Sequence, residues 1–140
     1  MAYFRKRIRC VEPRGTSTVE FALVATLLFF FFFAALEFSR AHMIYHTCEN
    51  AVYEGARRGV VPGATHQDVL DMTQSVLNSA SVTNALITIT PAVITAETRE
   101  ITVVVSVPVD TNSWVTPLFF NGKSTSASCT LQREKYSIIL

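Results

Sequence analysis

One long apolar segment dominates the pattern of hydrophobic and polar positions near the start of the chain. Between positions 21 and 36 the only polar residue is Thr26, and phenylalanine fills positions 29–33. As a helix, positions 19–38 would be about 30 Å long, which matches the hydrocarbon core of a bilayer. A soluble helix would carry a polar stripe, and this segment has none. The pattern therefore predicts a transmembrane helix, which we place at residues 16–40.

Beyond residue 40 the pattern becomes two-sided, with small and apolar residues at steps of three and four. This spacing is typical of a helix that buries one face, and it predicts one continuous helix from about residue 17 to residue 58. Gly55 and Gly59 offer another element a close approach, and helix termination is the simpler interpretation of Gly59. The residues of the expected buried face are Ala41, Ile44, Tyr45, Cys48, Ala51, Val52, Gly55 and Gly59.

A second helix is predicted after the turn at Pro62 and Gly63. Thr65, followed three residues later by Asp68, forms an N-terminal capping pair in which aspartate replaces the usual glutamate. The helix is expected to end near residues 78–81. Its predicted apolar face consists of Val69, Met72, Val76 and Ala80.

The rest of the chain alternates between apolar and polar residues in three segments, at residues 87–89, 101–109 and 125–131. A period of two is typical of half-buried strands, and Pro108 indicates that the second strand loses a partner near its end. The predicted fold class is therefore α+β. A long N-terminal membrane-spanning helix continues into a small extracytoplasmic domain, residues 41–140, with a second helix and a three-stranded antiparallel sheet. Before the last strand lie Trp114, Phe119 and Phe120, which either cap the core or form an exposed contact patch.

Charge is concentrated at the beginning of the chain. Apolar residues make up 49% of the sequence and charged residues 16%, below the roughly 25% of soluble domains, which argues against a disordered or nucleic-acid-binding protein. By the positive-inside rule the basic head stays in the cytoplasm and the domain after residue 40 lies outside it. Glu37 is interpreted as a marker of the outer boundary that reaches the lipid headgroups. The basic residues that precede the apolar run are Arg5, Lys6, Arg7, Arg9 and Arg14.

The start of the apolar run distinguishes among three kinds of membrane-targeting segment. The run is long for a secretory signal peptide and ends in a poor cleavage site at residues 34–38, while a plain signal anchor leaves its start unexplained. There, Gly15 follows the basic leader, and Glu20 stands five residues after the glycine, followed by Phe21. This arrangement resembles the type IV prepilin signal, which implies a basic leader at residues 1–15 and peptidase cleavage between Gly15 and Thr16.

Four short motifs in the same order extend the resemblance to the TadE-like family, minor pseudopilins of the tight-adherence (Flp-type) pilus system. The motifs are Arg14-Gly15, Val19-Glu20-Phe21-Ala22-Leu23, Glu37-Phe38 with Arg40, and Glu54-Gly55-Ala56-Arg57. They cover roughly residues 14–60. The resemblance implies a single-pass protein that is held in the bacterial inner membrane and is then drawn into a pilus or its initiating tip complex. Its implied partners are the membrane, a prepilin peptidase, other pilins or pseudopilins and the assembly machinery, with no nucleic acid and no small-molecule substrate.

Cleavage would give Glu20 a specific role. The new α-ammonium at Thr16 would lie one helical turn from Glu20, and a carboxylate near a helix N-terminus is favoured by the helix dipole. In a filament, Glu20, next to Phe21, would instead pair with the ammonium of a neighbouring subunit inside an apolar core. The alternative is that Glu20 is an interfacial residue with no role.

Two cysteines lie on the expected inward faces of their elements, outside the cytoplasm, where disulfides persist. A Cys48–Cys129 bridge is one candidate, and two buried free thiols are the alternative. Cys10 lies in the leader. On the long helix, His42, His46 and Glu49 share a face at a spacing that suits a metal, but no fourth ligand is evident and a wet helix face is the preferred interpretation. No metal or cofactor is therefore predicted.

No catalytic motif supports an enzyme, since the chain has no glycine-rich phosphate loop, no Gly-x-Ser-x-Gly and no Cys-x-x-Cys. The leading hypothesis is a structural assembly subunit of the pilus. The runner-up is a single-pass anchor that presents a small extracytoplasmic binding domain and does not polymerise. A membrane-tethered enzyme is a third and weaker alternative.

Overall fold

The computed structural model of the protein describes residues 14–95 and 97–133. Most of the basic leader, including Cys10, lies outside the described residues. In chain order the helices are α1, Arg14–Gly59, and α2, His66–Ser79. The strands are β1, Leu86–Thr90, β2, Glu100–Pro108, and β3, Ser124–Gln132, with a short 3₁₀ turn at Asp110–Asn112 between β2 and β3. The chain divides into two compact units, residues 1–33 and residues 34–140.

The described part of the first unit is the beginning of α1. Its large apolar side chains are exposed, with Phe21 at 74% and Phe31 at 62%. A helical window of 18 residues has a mean hydropathy of 2.4, and none of that window is buried inside the protein. The helix is therefore long and apolar enough to cross a membrane.

The second unit contains a three-stranded antiparallel sheet with β2 in the middle. Ile87 pairs with Val105, and Val103 pairs with Cys129. Alternate side chains of β2 point into the core and are fully buried, as the period-two pattern predicts. These core residues of β2 are Ile101, Val103, Val105 and Val107.

The second half of α1 and one face of α2 complete this core. On α1 the buried positions recur at helical spacing, so that a single face of the helix is apolar and dry. The buried residues of this face include Ile44, Cys48, Ala51, Val52 and Ala56, and those of α2 include Val69 and Leu77. The fold class predicted from the sequence, α+β with a long N-terminal helix, a second helix and a three-stranded antiparallel sheet, is confirmed.

The capping pair predicted for α2 is present. The Thr65 hydroxyl accepts a hydrogen bond from the Asp68 backbone N–H at 3.2 Å, and the Asp68 carboxylate accepts one from the Thr65 N–H at 2.9 Å. The Asp68 carboxylate accepts hydrogen bonds from the Thr65 backbone N–H, the Thr65 hydroxyl and Arg58, and these bonds lower the pKa of Asp68 to about 2. This reciprocal pair satisfies two backbone N–H groups that a helix start leaves without partners.

The predicted apolar face of α2 was wrong in part. Val69 is buried, but the next buried residue is Thr73, and Met72 is 38% exposed. Thr73 is fully buried because its hydroxyl donates to the Val69 carbonyl at 2.8 Å and because Gly55 of α1 leaves room for it. Gly55 therefore serves the close approach of α2.

Gly59 and Pro108 lie at the ends of α1 and β2, where the sequence predicted a helix end and a lost strand partner. Gly59 ends α1, as predicted, and a Cβ there would lie 2.8 Å from Ile101 Cδ1. Pro108 lies beyond the end of β1, whose pairing with β2 stops at Ser106, but it still pairs with Ser124 of β3. The loss of a partner near Pro108 is thus confirmed on the β1 side alone.

Candidate functional site

The predicted cleavage bond lies in the first turn of α1. Gly15 and Thr16 are exposed, and a Cβ added at Gly15 would meet no atom within 4 Å. Glu20 stands four residues after Thr16, and both Glu20 and Phe21 are exposed. The predicted pairing residues are therefore available on the surface of the first unit.

In the second unit, the carboxylate of Glu37 binds a loop from the far end of the sequence. Its Oε1 accepts the backbone N–H groups of Phe119 and Phe120, both at 2.8 Å, and its Oε2 accepts that of Leu118 at 3.1 Å. The side chain is only 4% exposed. A buried carboxylate needs such donors because removing it from water without them is costly.

This contact corrects one prediction. The sequence predicted that Glu37 marks the outer membrane boundary and reaches the headgroups. The boundary stays a prediction, but the contact with the headgroups is wrong, because the carboxylate is buried against the backbone of residues 118–120. The error arose because the three donors are backbone groups more than eighty positions away, and no local pattern points to them. The one available signal is a glutamate at the end of an apolar run, which needs either water or a set of donors.

Arg40 lies one turn further along α1 and binds a second set of backbone groups. Its guanidinium donates to the carbonyls of Asn112 at 2.9 Å, Ala80 at 3.2 Å and Ser81 at 3.3 Å. It also stacks on the Trp114 ring, 4.8 Å from the ring centroid. The side chain is only 3% exposed. Carbonyl groups just after α2 and in the β2–β3 connection therefore take the place of water around its positive charge.

Asn112 links these segments further. Its Oδ1 accepts from the Thr83 N–H at 2.7 Å, and its Nδ2 donates to the carbonyls of Thr83 and Pro108, each at 2.9 Å. Glu37, Arg40 and Asn112 therefore form a buried polar network. It fastens the β2–β3 connection and the end of α2 to α1 at residues 37–40.

The three aromatic residues before β3 divide between the two predicted roles. Phe120 packs against the core, and its ring lies 5.1 Å from that of Phe38. Trp114 and Phe119 are exposed at 64% and 41%. The core-capping interpretation holds for Phe120, and the exposed-patch interpretation holds for the other two.

The polar face of α1 carries a chain of hydrogen bonds. His42 Nε2 and His46 Nε2 are 2.9 Å apart, and His46 Nδ1 lies 3.1 Å from Glu49 Oε2. The hydrogen bond from Tyr45 to Glu49, together with the negative charge there, raises the pKa of Tyr45. Within residues 14–95 and 97–133, no group of three or more His, Cys, Asp or Glu side chains is arranged to hold a metal.

Both Cys48 and Cys129 are free thiols in the structure. Cys48 is fully buried in the core, and burial raises its pKa to about 11. Cys129 is half-buried on β3. A Cys48–Cys129 disulfide therefore stays a prediction for the oxidised protein.

Comparison with known protein families gives a match over most of α1. Residues 15–57 match the family described as TadE-like protein. No curated protein and no solved structure matches the chain. The match covers the first unit after Gly15 and the part of α1 that carries Glu37 and Arg40.

The TadE-like family is a pilus-associated structural family. The matched residues include all four motifs on which the resemblance was drawn, apart from Arg14 at its edge. Over residues 15–57 the chain is therefore similar to the TadE-like family, and the helix that contains these residues is long and apolar enough to cross a membrane.

Proposed function

We propose that this protein is a pseudopilin, a structural subunit that a prepilin peptidase cuts after Gly15. The observation that carries the proposal is that the family match begins at Gly15 itself. The residues that follow are an exposed helix with one carboxylate, Glu20, at the head of an apolar surface. Cleavage at this bond requires the first turn of α1 to unwind, and Gly15 imposes no side chain on a backbone entering the peptidase.

Before assembly, the protein resides in the bacterial inner membrane with its N-terminus in the cytoplasm and the second unit outside. The support for this orientation is the basic leader. After cleavage, the exposed apolar surface of residues 21–33 exchanges lipid for neighbouring helices. The apolar side chains are shielded from water in both environments, so the hydrophobic effect does not favour either one. Close packing and polar pairing must therefore favour the filament.

Glu20 supplies the polar pairing. The α-ammonium created at Thr16 is a positive group, and its attraction to a carboxylate is strong in a dry filament core, where screening is weak. The energy that extracts the subunit comes from partner machinery, because the described residues include no nucleotide-binding loop. The network around Glu37 and Arg40 holds the β2–β3 connection on α1 within the second unit during this transfer.

Two variants separate processing from assembly when expressed with a prepilin peptidase and the pilus machinery. Gly15→Ile should stay uncut and unassembled because the bulky side chain blocks the peptidase. Glu20→Gln should be cut normally but fail to assemble because the charge for pairing is gone. If both variants assembled as well as the parent protein, neither cleavage nor Glu20 would serve assembly and the proposal would fail. If the parent protein itself stayed uncut and entered no filament, the single-pass anchor with a binding domain would be the better description.

A further inference from the structure

The connection between the 3₁₀ turn and β3 presents exposed apolar side chains that the core does not use. We call residues 113–120 the aromatic loop. Trp114 and Leu118 are each 64% exposed, and Phe119 is 41% exposed. From residue 111 to residue 122 the sequence contains no charged side chain. An exposed surface of large apolar groups without charge is unfavourable in water and is typical of a site that contacts a membrane or another protein.

The position of the aromatic loop is fixed by the polar network. Glu37 holds the backbone of residues 118–120, and Arg40 stacks on Trp114. Both anchors lie on α1 within four residues of Leu36, where the apolar run ends. The aromatic loop therefore lies beside the turn of α1 that leaves the apolar run, not at the far end of the second unit.

The apolar surface is continuous between α1 and the aromatic loop. Phe38 is 53% exposed, and its ring lies 5.7 Å from that of Phe119. Beside Phe38 an open groove of about 750 Å³ runs along α1 towards β3. The groove is lined mainly by apolar groups, including Ala35, Phe38, Ala41 and Phe120, with His42 and Lys123 at its polar side.

The residue types match one environment, the interface between hydrocarbon and lipid headgroups. Tryptophan and other amphipathic aromatic side chains concentrate there, and lysine beside them reaches the phosphates. Lys123 is exposed, with its Nζ 5.7 Å from the centre of the Phe120 ring. An ammonium next to an apolar groove can therefore meet a headgroup while acyl chain fills the groove.

We propose that the aromatic loop is a lipid-docking surface, which inserts Trp114, Leu118 and Phe119 into the outer interface of the same membrane that α1 crosses. The occupant is phospholipid, and the inference rests on the proposed transmembrane placement of α1. Docking fixes the height and tilt of the second unit on the bilayer. Extraction into a filament must then lift the aromatic loop out of the lipid as well as α1.

Trp114 is the single tryptophan of the chain, so its fluorescence reports the loop without any substitution. The full chain is reconstituted into phosphatidylcholine and phosphatidylglycerol vesicles, with bromine on either shallow or deep acyl positions of the phosphatidylcholine. We expect blue-shifted emission that shallow bromine quenches strongly and deep bromine quenches less. Emission typical of water, quenched by aqueous iodide and not by either bromolipid, would overturn the proposal.

A second variant separates this inference from the proposed function. In Trp114→Phe/Phe29→Trp the only tryptophan lies in the apolar run, and deep bromine should quench it. If that variant is quenched while Trp114 is not, α1 spans the bilayer and the docking proposal alone fails. If neither tryptophan is quenched, the transmembrane placement fails as well. A blue shift of Trp114 that needs high protein density and no bromolipid contact would assign the surface to a second copy and overturn lipid docking.

Discussion

The carboxylate of Glu37 on α1 accepts the backbone N–H of Phe119 at 2.8 Å, although 82 positions separate the two residues in the chain. The same carboxylate accepts two further N–H groups of that loop. An acidic side chain at the end of an apolar helix thus serves as the attachment point for the segment that precedes the last strand. This contact joins the family-matched part of the chain to a part that lies outside the match.

The first prediction concerns this attachment. Glu37→Gln replaces one acceptor oxygen by an NH₂ group, which faces a backbone donor and cannot bond it. We expect amide exchange at residues 118–120 to become faster by about an order of magnitude, because hydrogen bonds to charged acceptors are among the stronger ones. Hydrogen–deuterium exchange with mass spectrometry measures this directly.

Glu54→Gln is the matched control for that experiment. Glu54 is also on α1, and its ion pair with Arg57, at 3.6 Å, is exposed, so its loss should change little. Equal exchange rates at residues 118–120 in both variants would show that Glu37 does not hold the loop.

Close packing of the helices gives the second prediction. In Gly55→Ala the new Cβ would overlap Thr73 Oγ1, which is fully buried and bonded to the Val69 carbonyl. Overpacking of this kind costs about 1–3 kcal/mol, and it should outweigh the gain of about 1 kcal/mol in helix propensity. We expect a lower midpoint of urea unfolding for the second unit in the detergent-solubilised protein.

Thr73→Ala tests the cause of that loss. It removes Oγ1 and leaves the Thr73 Cβ at 3.4 Å from the added methyl group, an ordinary contact. The double variant should therefore lose less free energy of unfolding than the two single variants together. Strict additivity would mean that the Thr73 hydroxyl is not what excludes a side chain at position 55.

Acid should weaken the start of α2. Hydrogen bonds from the Thr65 backbone and hydroxyl, then from Arg58, lower the pKa of Asp68 to about 2, against about 3.9 in an unfolded chain. A carboxyl whose pKa is lower in the folded protein stabilises the fold at pH values above its pKa in the unfolded chain. This contribution is lost as the pH falls through the pKa of the folded protein. Asp68→Asn should therefore unfold more easily than the parent protein at neutral pH, with the difference closing between about pH 4 and pH 2.

Circular dichroism across this range measures the difference, with Asp71→Asn of the same helix as the control for removal of one carboxylate. A difference between Asp68→Asn and the parent protein that stays constant down to pH 2 would contradict the role of Asp68 as an ionised cap.

The cysteines provide a further prediction, for the reduced protein. Cys48 is fully buried with its pKa raised to about 11, and the thiolate is the reactive form. In a Cys10→Ser background at pH 8, iodoacetamide should modify Cys129 and leave Cys48 unmodified until the protein is denatured. Peptide mapping identifies the labelled site, and rapid labelling of both cysteines in the folded protein would contradict the packing of α1 on the sheet.

Periodicity was sufficient to predict the elements themselves. The spacing of small residues on α1, the Thr65–Asp68 cap and the alternation of β2 are local signals, and the structure confirms the elements that they predict. Helix spacing alone did not predict that Thr73 is buried, because that depends on a glycine of another helix, Gly55.

The polar network could not be predicted for a related reason. The long-range hydrogen bonds of Glu37 and Arg40 join them to backbone groups of residues 80–120, and a backbone group has no sequence signature. What the sequence does contain is two charged residues at the end of an apolar run and an uncharged, aromatic-rich stretch before β3. The sequence shows each feature separately, but only the fold shows that the two charged residues contact the aromatic-rich stretch.

Cleavage between Gly15 and Thr16 is the central claim, because it creates the ammonium group that Glu20 is proposed to pair. The most direct test is the intact mass of the protein extracted from the membrane of cells that contain the prepilin peptidase and assemble the pilus. The account predicts a mass that corresponds to a chain beginning at Thr16. A chain that retains residues 1–15 in cells where the pilus forms normally would contradict it.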